Sequence, residues 1–260
     1  MVYESISERE IRRQLVTQQV LPPHADNEKV PAFSFAARPW TWRHRLQQGV
    51  KVLREEGVKN LGIKILRDTV AHWELLWERP LDVPLADVTP KVPVQIEVLG
   101  RADVAQYYAF RPDASPTDIC QRLESRQWCF IARHQGQIVH ADWIATGRVW
   151  LDSLAYELRL APDEIYSYDS FTTPEFRGQR IAPARSVHMQ RVMREAGYTR
   201  IVATILPDND VSIRVYAGVG YRRLGTLGYV QLGPWRWHFC WIRRGARPPG
   251  CLAASTKRSV

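Results

Sequence analysis

Cysteine, methionine and long apolar runs are scarce in this sequence, and each scarcity excludes a class of protein. The 260 residues include only 4 cysteines and 3 methionines. No apolar run approaches the roughly 18 residues of a membrane-spanning helix, so no membrane span is expected. The cysteines have no CxxC spacing, are too few for a disulfide framework and belong to no cluster with metal-ligand spacing. We predict free thiols and no metal; the cysteines are Cys120, Cys129, Cys240 and Cys251.

The rest of the composition is that of a globular protein with a hydrophobic core. Apolar residues make up 45% of the chain and charged residues 24%, which argues against disorder throughout. The first 13 residues are rich in charge and contain no apolar segment followed by a small-residue cleavage site. Because no secretory signal is visible, the expected location is the cytoplasm.

Positive charge is concentrated in the last third of the chain. The formal net charge is +9, and residues 175–260 hold 15 basic against 4 acidic side chains, whereas residues 93–174 hold 7 against 11. A nucleic-acid partner is one interpretation of a basic chain, but it rests on charge alone and is not expected here. The uneven distribution favours an anionic ligand such as a phosphate in one place and a cationic or neutral ligand in another.

Proline spacing divides the chain into segments. The prolines between residues 80 and 93 form a linker that a helix interior would not tolerate. Apolar residues at helical spacing between Trp42 and Trp77 predict a helical N-terminal extension, so that residues 1–92 comprise extension and linker. We expect this segment to cover a binding site or to form a homodimer contact. Residues 243–260 have little apolar content and are predicted to be a disordered basic tail.

The remaining segment, residues 93–242, has the pattern of an α+β domain with a mixed sheet. Alternating strands flank the turn Gln135-Gly136 as a hairpin, and Gly197 ends the longest helix of this segment. Strands are predicted at Val94–Leu99, Trp128–His134, Gln137–Ala145, Glu164–Thr172, Arg200–Leu206, Tyr221–Gly225 and Trp235–Ile242, and helices at Asp103–Phe110, Pro116–Ser125, Pro183–Ala196 and Ser212–Gly218.

The loop 172–183 joins a predicted strand to a predicted helix and is the best candidate for a binding site. Its N–H groups and those of the first helical turn are unpaired, and the helix dipole adds a positive end, so the turn suits a phosphate. Gly178 permits close backbone approach, while Arg177, Arg180 and Arg185 add cations. Taken alone, a strand–turn–helix with surface arginines is more often structural than functional.

Two motifs in this region resemble a known family. The segment Arg177-Gly178-Gln179-Arg180-Ile181-Ala182 is similar to the [Arg/Gln]-x-x-Gly-x-[Gly/Ala] acyl-CoA pyrophosphate loop of the GNAT N-acetyltransferase superfamily. Arg180 replaces the middle glycine, so a slightly wider loop is expected, with its backbone donors kept if φ there stays negative. The segment from Asn209 to Tyr221 is similar to the family's Asn-x(6)-Tyr-x(3)-Gly-[Phe/Tyr] motif. The resemblance implies a GNAT-like mixed central sheet flanked by helices.

The resemblance also implies a donor site and catalytic residues. The pantetheine arm of acetyl-CoA or another acyl-CoA would enter between the two splayed parallel strands. Tyr216 matches the family tyrosine that protonates the leaving thiolate, and Asp169 stands near a common position of the general base. Glu157, Tyr168 and a bound water are alternatives for the base. The cofactor-binding residues implied are Phe171 and Thr173, whose backbone would pair with pantetheine, Asn209, which would contact it or hold the loop, and Thr172, Arg177, Gly178, Gln179, Arg180, Ile181, Ala182 and Ser212.

The expected function is N-acyl transfer, most simply N-acetyl transfer, from acyl-CoA to a small-molecule amine such as an amino sugar or an amino-acid derivative. Transfer would be direct, in a ternary complex of donor, acceptor and protein. One alternative is an acyltransferase that takes its acyl group from an acidic acyl carrier protein, which the basic last third could dock. Another is a non-catalytic regulatory module that binds acyl-CoA.

Overall fold

The structure, a computed structural model, describes residues 70–250 apart from positions 86 and 126. The helices expected before Val70 and the tail beyond Gly250 therefore lie outside the described residues. Within the described range the chain forms an eight-stranded sheet of mixed direction flanked by helices, together with a separate two-stranded hairpin. The predicted α+β class is confirmed. No helix of the described part is long and apolar enough to cross a membrane.

The described residues form ten strands and four α-helices, numbered in chain order. The strands are β1 (Ala71–Pro80), β2 (Gln95–Val98), β3 (Trp128–His134), β4 (Gln137–Ala145), β5 (Arg148–Leu151), β6 (Tyr156–Arg159), β7 (Glu164–Thr172), β8 (Arg200–Ile205), β9 (Arg222–Leu232) and β10 (Trp235–Ile242). The α-helices are α1 (Val104–Phe110), α2 (Pro116–Glu124), α3 (Ile181–Glu195) and α4 (Asp210–Gly218), and 3₁₀ turns occupy Arg101–Asp103, Asp152–Leu154 and Pro174–Phe176.

The strand order creates an opening at the centre of the large sheet. The order is β10-β9-β1-β8-β7-β4-β3-β2, and β7 and β8 run parallel while the other neighbours are antiparallel. Pairing between β7 and β8 extends only from Glu164 opposite Arg200 to Ser167 opposite Ala203. Residues 168–172 of β7 therefore have no partner on β8, and the two strands separate towards their carboxyl ends.

Strand β1 corrects the predicted extent of the helical extension. The helical pattern was expected to run to Trp77, but Ala71–Pro80 is a strand between β8 and β9. Six consecutive residues, from Glu74 to Arg79, are buried, because a central strand is covered on both faces. A strand of this kind has no in–out alternation, so periodicity alone does not separate it from a buried helix. The sheet consequently begins before the proline linker.

The two faces of the large sheet have different covers. The helix face lies under α3 and α4, and the hairpin face lies under α1, α2 and the β5–β6 hairpin. Core residues of the helix face include Phe130, Ile144, Ile165, Val187, Met189 and Ala203. Core residues of the hairpin face include Leu76, Trp143, Leu151, Leu158, Tyr166 and Val202.

The first part of the tail packs on the domain, which corrects the prediction of disorder for residues 243–250. Arg200 donates hydrogen bonds to the carbonyl oxygens of Arg247 and Pro248 at 2.6 and 2.9 Å. The N–H of Gly250 donates to Glu164 Oε2 at 2.9 Å. Backbone groups, rather than apolar side chains, hold this segment, which is why its composition did not indicate packing.

Candidate active site

The predicted phosphate-binding loop opens to solvent at the start of α3. A 3₁₀ turn at Pro174–Phe176 leads out of β7, and Gly178 takes a left-handed φ of +76°. The first helical hydrogen bond runs from the Ala184 N–H to the Arg180 carbonyl at 3.2 Å, so the N–H groups of Ile181 and Ala182 precede the helical ladder. The Arg177 and Arg180 side chains are exposed beside them. This arrangement suits a polyanion such as a pyrophosphate.

Arg180 does not keep the negative φ that the sequence analysis required of it. Its φ is +59° and its ψ is 22°, in the left-handed region. An L-residue with a side chain pays about 1 kcal/mol or more in this region, whereas glycine enters it without steric cost. The position therefore has a backbone conformation that favours glycine, although an arginine occupies it.

The backbone of β7 corrects the expected pantetheine contacts by one residue. The N–H of Thr173 donates to the Val139 carbonyl at 3.0 Å, and its carbonyl accepts from the Phe176 N–H at 3.0 Å, so Thr173 is satisfied within the protein. Phe171 pairs with Ala141 on the same side, because alternate residues of an antiparallel strand point the same way. The intervening Thr172 points its carbonyl away from β4, towards the opening, where it accepts a hydrogen bond from Arg177 Nε at 3.3 Å.

Arg185 is buried and does not serve as a mobile cation of the loop. Its side chain is only 3% exposed, and Nη1 donates to Oδ2 of the fully buried Asp142 at 2.8 Å. Its Nε donates to His140 Nε2 at 3.0 Å. Because that nitrogen accepts, the neutral ring carries its proton on Nδ1, which donates to the Thr172 hydroxyl at 2.8 Å. Burial and the Arg185 charge hold the pKa of His140 well below its usual range.

The same network reaches Tyr216 at the opening between β7 and β8. The Ser167 hydroxyl donates to Asp142 Oδ2 at 2.9 Å and lies 3.4 Å from the Tyr216 hydroxyl. Ser167 is also the last residue of β7 that pairs with β8. Burial, and next the Asp142 charge, raise the pKa of Tyr216 to about 12. Tyr216 is thus protonated at neutral pH and lies where the strands separate, as expected for a proton donor.

Asn209 and Ser212 contact each other at the start of α4. The Asn209 Oδ1 accepts a hydrogen bond from the Ser212 N–H at 3.1 Å, which caps the helix that carries Tyr216. Of the two roles expected for Asn209, the structure supports holding the loop.

Asp169 is bound by two arginines on the hairpin face. Its Oδ2 accepts from Arg122 Nη1 at 2.8 Å, and its Oδ1 lies 3.4 Å from Arg111 Nη1. The residue lies in an irregularity of the β4–β7 pairing and has a φ of +51°. Two arginines therefore balance the charge of this carboxylate within the protein.

The alternative bases are also engaged. Glu157 forms an ion pair with Arg159 at 2.7 Å on the protein surface. The Tyr168 hydroxyl donates to the Gln127 side chain, and burial raises the pKa of Tyr168. Neither side chain combines a free lone pair with a position at the strand opening.

Sequence reasoning missed the buried polar side chains that are connected to Tyr216 through Ser167. His140 and Asp142 are two residues apart in β4, and therefore on one face, in a strand whose neighbours are apolar. Two polar side chains in such a run require partners, and this signal was available in the sequence. The identity of the partners, Arg185 and Ser167, depends on tertiary packing. Among the described residues, no group of three or more His, Cys, Asp or Glu side chains could hold a metal ion.

One family profile and several solved structures are similar to part of this chain. Residues 97–221 match the sequence profile of the acetyltransferase (GNAT) family. No curated protein matches the sequence. Similar solved structures include a GNAT-family acetyltransferase from Novosphingobium aromaticivorans, with a TM-score of 0.43, 19% identity and coverage of 62% of this chain and 65% of that one.

Two further solved structures are similar over part of the chain. One is the aminoglycoside N-acetyltransferase AAC(6′)-Iy in complex with CoA, with a TM-score of 0.41, 17% identity and coverage of 49% of this chain and 91% of that one. Another is the GNAT domain of PAT from S. lividans, with a TM-score of 0.42, 17% identity and coverage of 62% and 100%. The profile match includes both sequence motifs, and residues 97–221 of this chain are similar to the acetyltransferase (GNAT) family.

Proposed function

We propose that this protein is an N-acyltransferase that moves an acyl group, most simply acetyl, from acyl-CoA to a small-molecule amine. The observation that carries the proposal is the position of Tyr216. Its hydroxyl lies 3.4 Å from Ser167, at the residue where β7 and β8 stop pairing, within the segment that matches an acetyltransferase family. A protonated phenol at that point is placed to donate to a thiolate as it leaves.

The donor site follows from the loop and the opening. The diphosphate of CoA would bind the N–H groups at the start of α3, with Arg177 and Arg180 as cationic partners. The pantetheine arm would follow the exposed edge of β7, where the Thr172 carbonyl faces the opening. The amine nitrogen attacks the thioester carbonyl, the carbon–sulfur bond breaks, and Tyr216 protonates the sulfur.

Calorimetric titration with acetyl-CoA and desulfo-CoA tests donor binding. Thioester consumption then tests transfer to an amine panel of spermidine, glucosamine, kanamycin and amino-acid amides. We expect binding of both CoA compounds and turnover with at least one amine. Binding without turnover would support a regulatory module instead, and transfer from an acyl carrier protein without binding of free CoA would support a carrier-dependent enzyme.

A double variant tests the location of the donor site. Arg177→Ala with Arg180→Ala should weaken acetyl-CoA binding at least tenfold, since each hydrogen bond between charged groups contributes roughly 1.5–3 kcal/mol. Arg191→Ala with Arg194→Ala removes the same charge from the other end of α3 and should leave the affinity unchanged. Equal affinities in the two double variants would show that the phosphates bind elsewhere.

A further inference from the structure

Glu74 is a buried carboxylate at the same strand opening, but on the other face of the sheet from Tyr216. In β1, Leu75 lies opposite Ile205, the last residue of β8, so Glu74 lies one position beyond the end of β8. Leu76, two residues further along, packs in the core of the hairpin face, which places Glu74 on that face as well. Strand β1 lies outside the segment that matches the family profile.

Within the part of the chain that the structure describes, the hydrogen-bond partner of this carboxylate is neutral. Glu74 is 7% exposed, and its Oε1 accepts a hydrogen bond from the Ser153 hydroxyl at 2.6 Å. Across residues 70–250, with their two gaps, no lysine, arginine or histidine forms an ion pair with it. A buried carboxylate without a cation is costly, and a cationic ligand would remove that cost.

The surroundings of Glu74 connect it to the opening. Burial and, next, the nearby Glu74 charge raise the pKa of Tyr166, whose hydroxyl bonds the Thr204 hydroxyl at 2.6 Å. Tyr166 is one residue before the last β7–β8 pair. Other titratable side chains of this face form a ring cluster: His72 stacks on Tyr229 at 5.9 Å, and His238 contacts Tyr229 and Tyr156 at 5.8 and 5.6 Å.

We propose that Glu74 receives the ammonium group of the acceptor and removes its proton, so that the acceptor is a cationic primary amine. This assignment rests on the proposed acyltransferase function. Glu74 takes one proton, and the neutral nitrogen then attacks the thioester carbon. As the carbon–sulfur bond breaks, Tyr216 protonates the sulfur, and the second nitrogen proton restores Tyr216. Glu74 releases its proton to solvent, so ammonium and thioester become amide, thiol and one proton.

Two other carboxylates near the opening are unsuited to this step. Asp169 is held by Arg111 and Arg122, and Asp142 is held by Arg185. A carboxylate whose charge is already balanced by an arginine attracts an ammonium group less strongly than one without a cation. The difference in pairing therefore assigns the acceptor's charge to Glu74.

The test compares Glu74→Gln with Glu195→Gln, a change at an exposed carboxylate at the end of α3, using the best acceptor of the amine panel between pH 6 and pH 10. The glutamine side chain can still accept the hydrogen bond from the Ser153 hydroxyl, so the Glu74→Gln variant should remain folded. Glu74→Asp is a second variant, which keeps the charge. We expect Glu74→Gln to lower kcat/KM about 100-fold at pH 7 without changing acetyl-CoA affinity. The defect should shrink as pH approaches the amine's own pKa, near 10.4 for a lysine-like amine, because a neutral amine needs no base. Glu74→Asp should retain more activity than Glu74→Gln, and Glu195→Gln should behave as the wild type.

Three outcomes would contradict this assignment, each in a distinct way. Equal pH profiles for Glu74→Gln and wild type would remove Glu74 from the mechanism while leaving the proposed function in place. A pH-independent defect accompanied by weaker acetyl-CoA binding would show that Glu74 supports the fold only. A wild-type protein that transfers to no amine would overturn the proposed function and this assignment together.

Discussion

At the opening between β7 and β8, the two faces of the sheet differ in the partners of their buried carboxylates. On the helix face, Asp142 is compensated inside the protein by Arg185 and by the Ser167 hydroxyl. On the hairpin face, Glu74 has a serine hydroxyl as its hydrogen-bond partner. Where a buried carboxylate is balanced within the protein, the side chains of the network are held in place before a ligand binds. Where its partner is neutral, part of its charge is unbalanced, and a cationic ligand can balance it. Under the proposed function, the helix face holds a preorganised proton donor and the hairpin face recognises the acceptor's charge.

The largest expected effect comes from breaking the ion pair on the helix face. Arg185→Met leaves Asp142 buried without its cation and should lower the free energy of unfolding by about 3–5 kcal/mol in urea titrations. Combining it with Asp142→Asn should recover part of that loss, because the unpaired charge is gone. Ser153→Ala on the hairpin face removes a hydrogen bond to a carboxylate and should cost less, about 1.5–3 kcal/mol. Equal losses for Arg185→Met and Ser153→Ala would remove the contrast between the faces.

The next effect concerns catalysis on the helix face. Tyr216→Phe removes the proton donor but keeps the ring that packs on Tyr221 at 4.6 Å. We expect kcat to fall about 100-fold while the calorimetric affinity for acetyl-CoA stays the same. Tyr198→Phe serves as the control, since Tyr198 packs on Trp128 in the core of the helix face. Unchanged kcat in Tyr216→Phe would leave the thiolate to be protonated by water.

The donor side was largely predictable from the sequence because its signals are local. Seven of the sheet strands and the four helices were expected near their observed positions, and β3, β4 and β7 have the predicted bounds. The loop before α3 and the cap of α4 are short contiguous motifs. Their backbone geometry follows from a few neighbouring residues, which one sequence suffices to show.

The acceptor side was not predictable, for two physical reasons. Strand β1 is buried on both faces and has no alternation, and β5 and β6 have four residues each, too few to establish a period. The role of Glu74 depends on which strands lie beside β1, and the exclusion of Asp169 depends on Arg111 and Arg122, which are distant in sequence. Partners of this kind are set by tertiary packing and leave no local pattern.

A smaller expected effect is the pH dependence of stability that His140 gives to the helix face. His140 accepts from Arg185 as a neutral ring, and its pKa in the folded protein is well below 6.5. A depressed histidine pKa contributes stability that is complete above the unfolded pKa and is lost as pH falls below it. Between pH 7.5 and pH 5.5, the free energy of unfolding of the wild type should therefore fall by about 1 kcal/mol more than that of His140→Gln, whose side chain can keep both hydrogen bonds. Urea titrations at the two pH values measure this, and identical losses would show that folding does not lower the pKa of His140.

The smallest expected effect tests the backbone of the phosphate-binding loop. Arg180→Gly and Arg180→Ala remove the same charge, but only glycine enters a φ of +59° without strain. The glycine variant should therefore be more stable than the alanine variant by about 1 kcal/mol in thermal or urea unfolding. Both variants should weaken acetyl-CoA binding to the same extent, because both lose the cation while the N–H groups of the loop stay in place. Equal stability of the two variants would show that alanine is not strained at this position. The left-handed conformation would then depend on the arginine side chain. A stability difference with equal affinities would establish that the turn and the charge act independently in holding the donor.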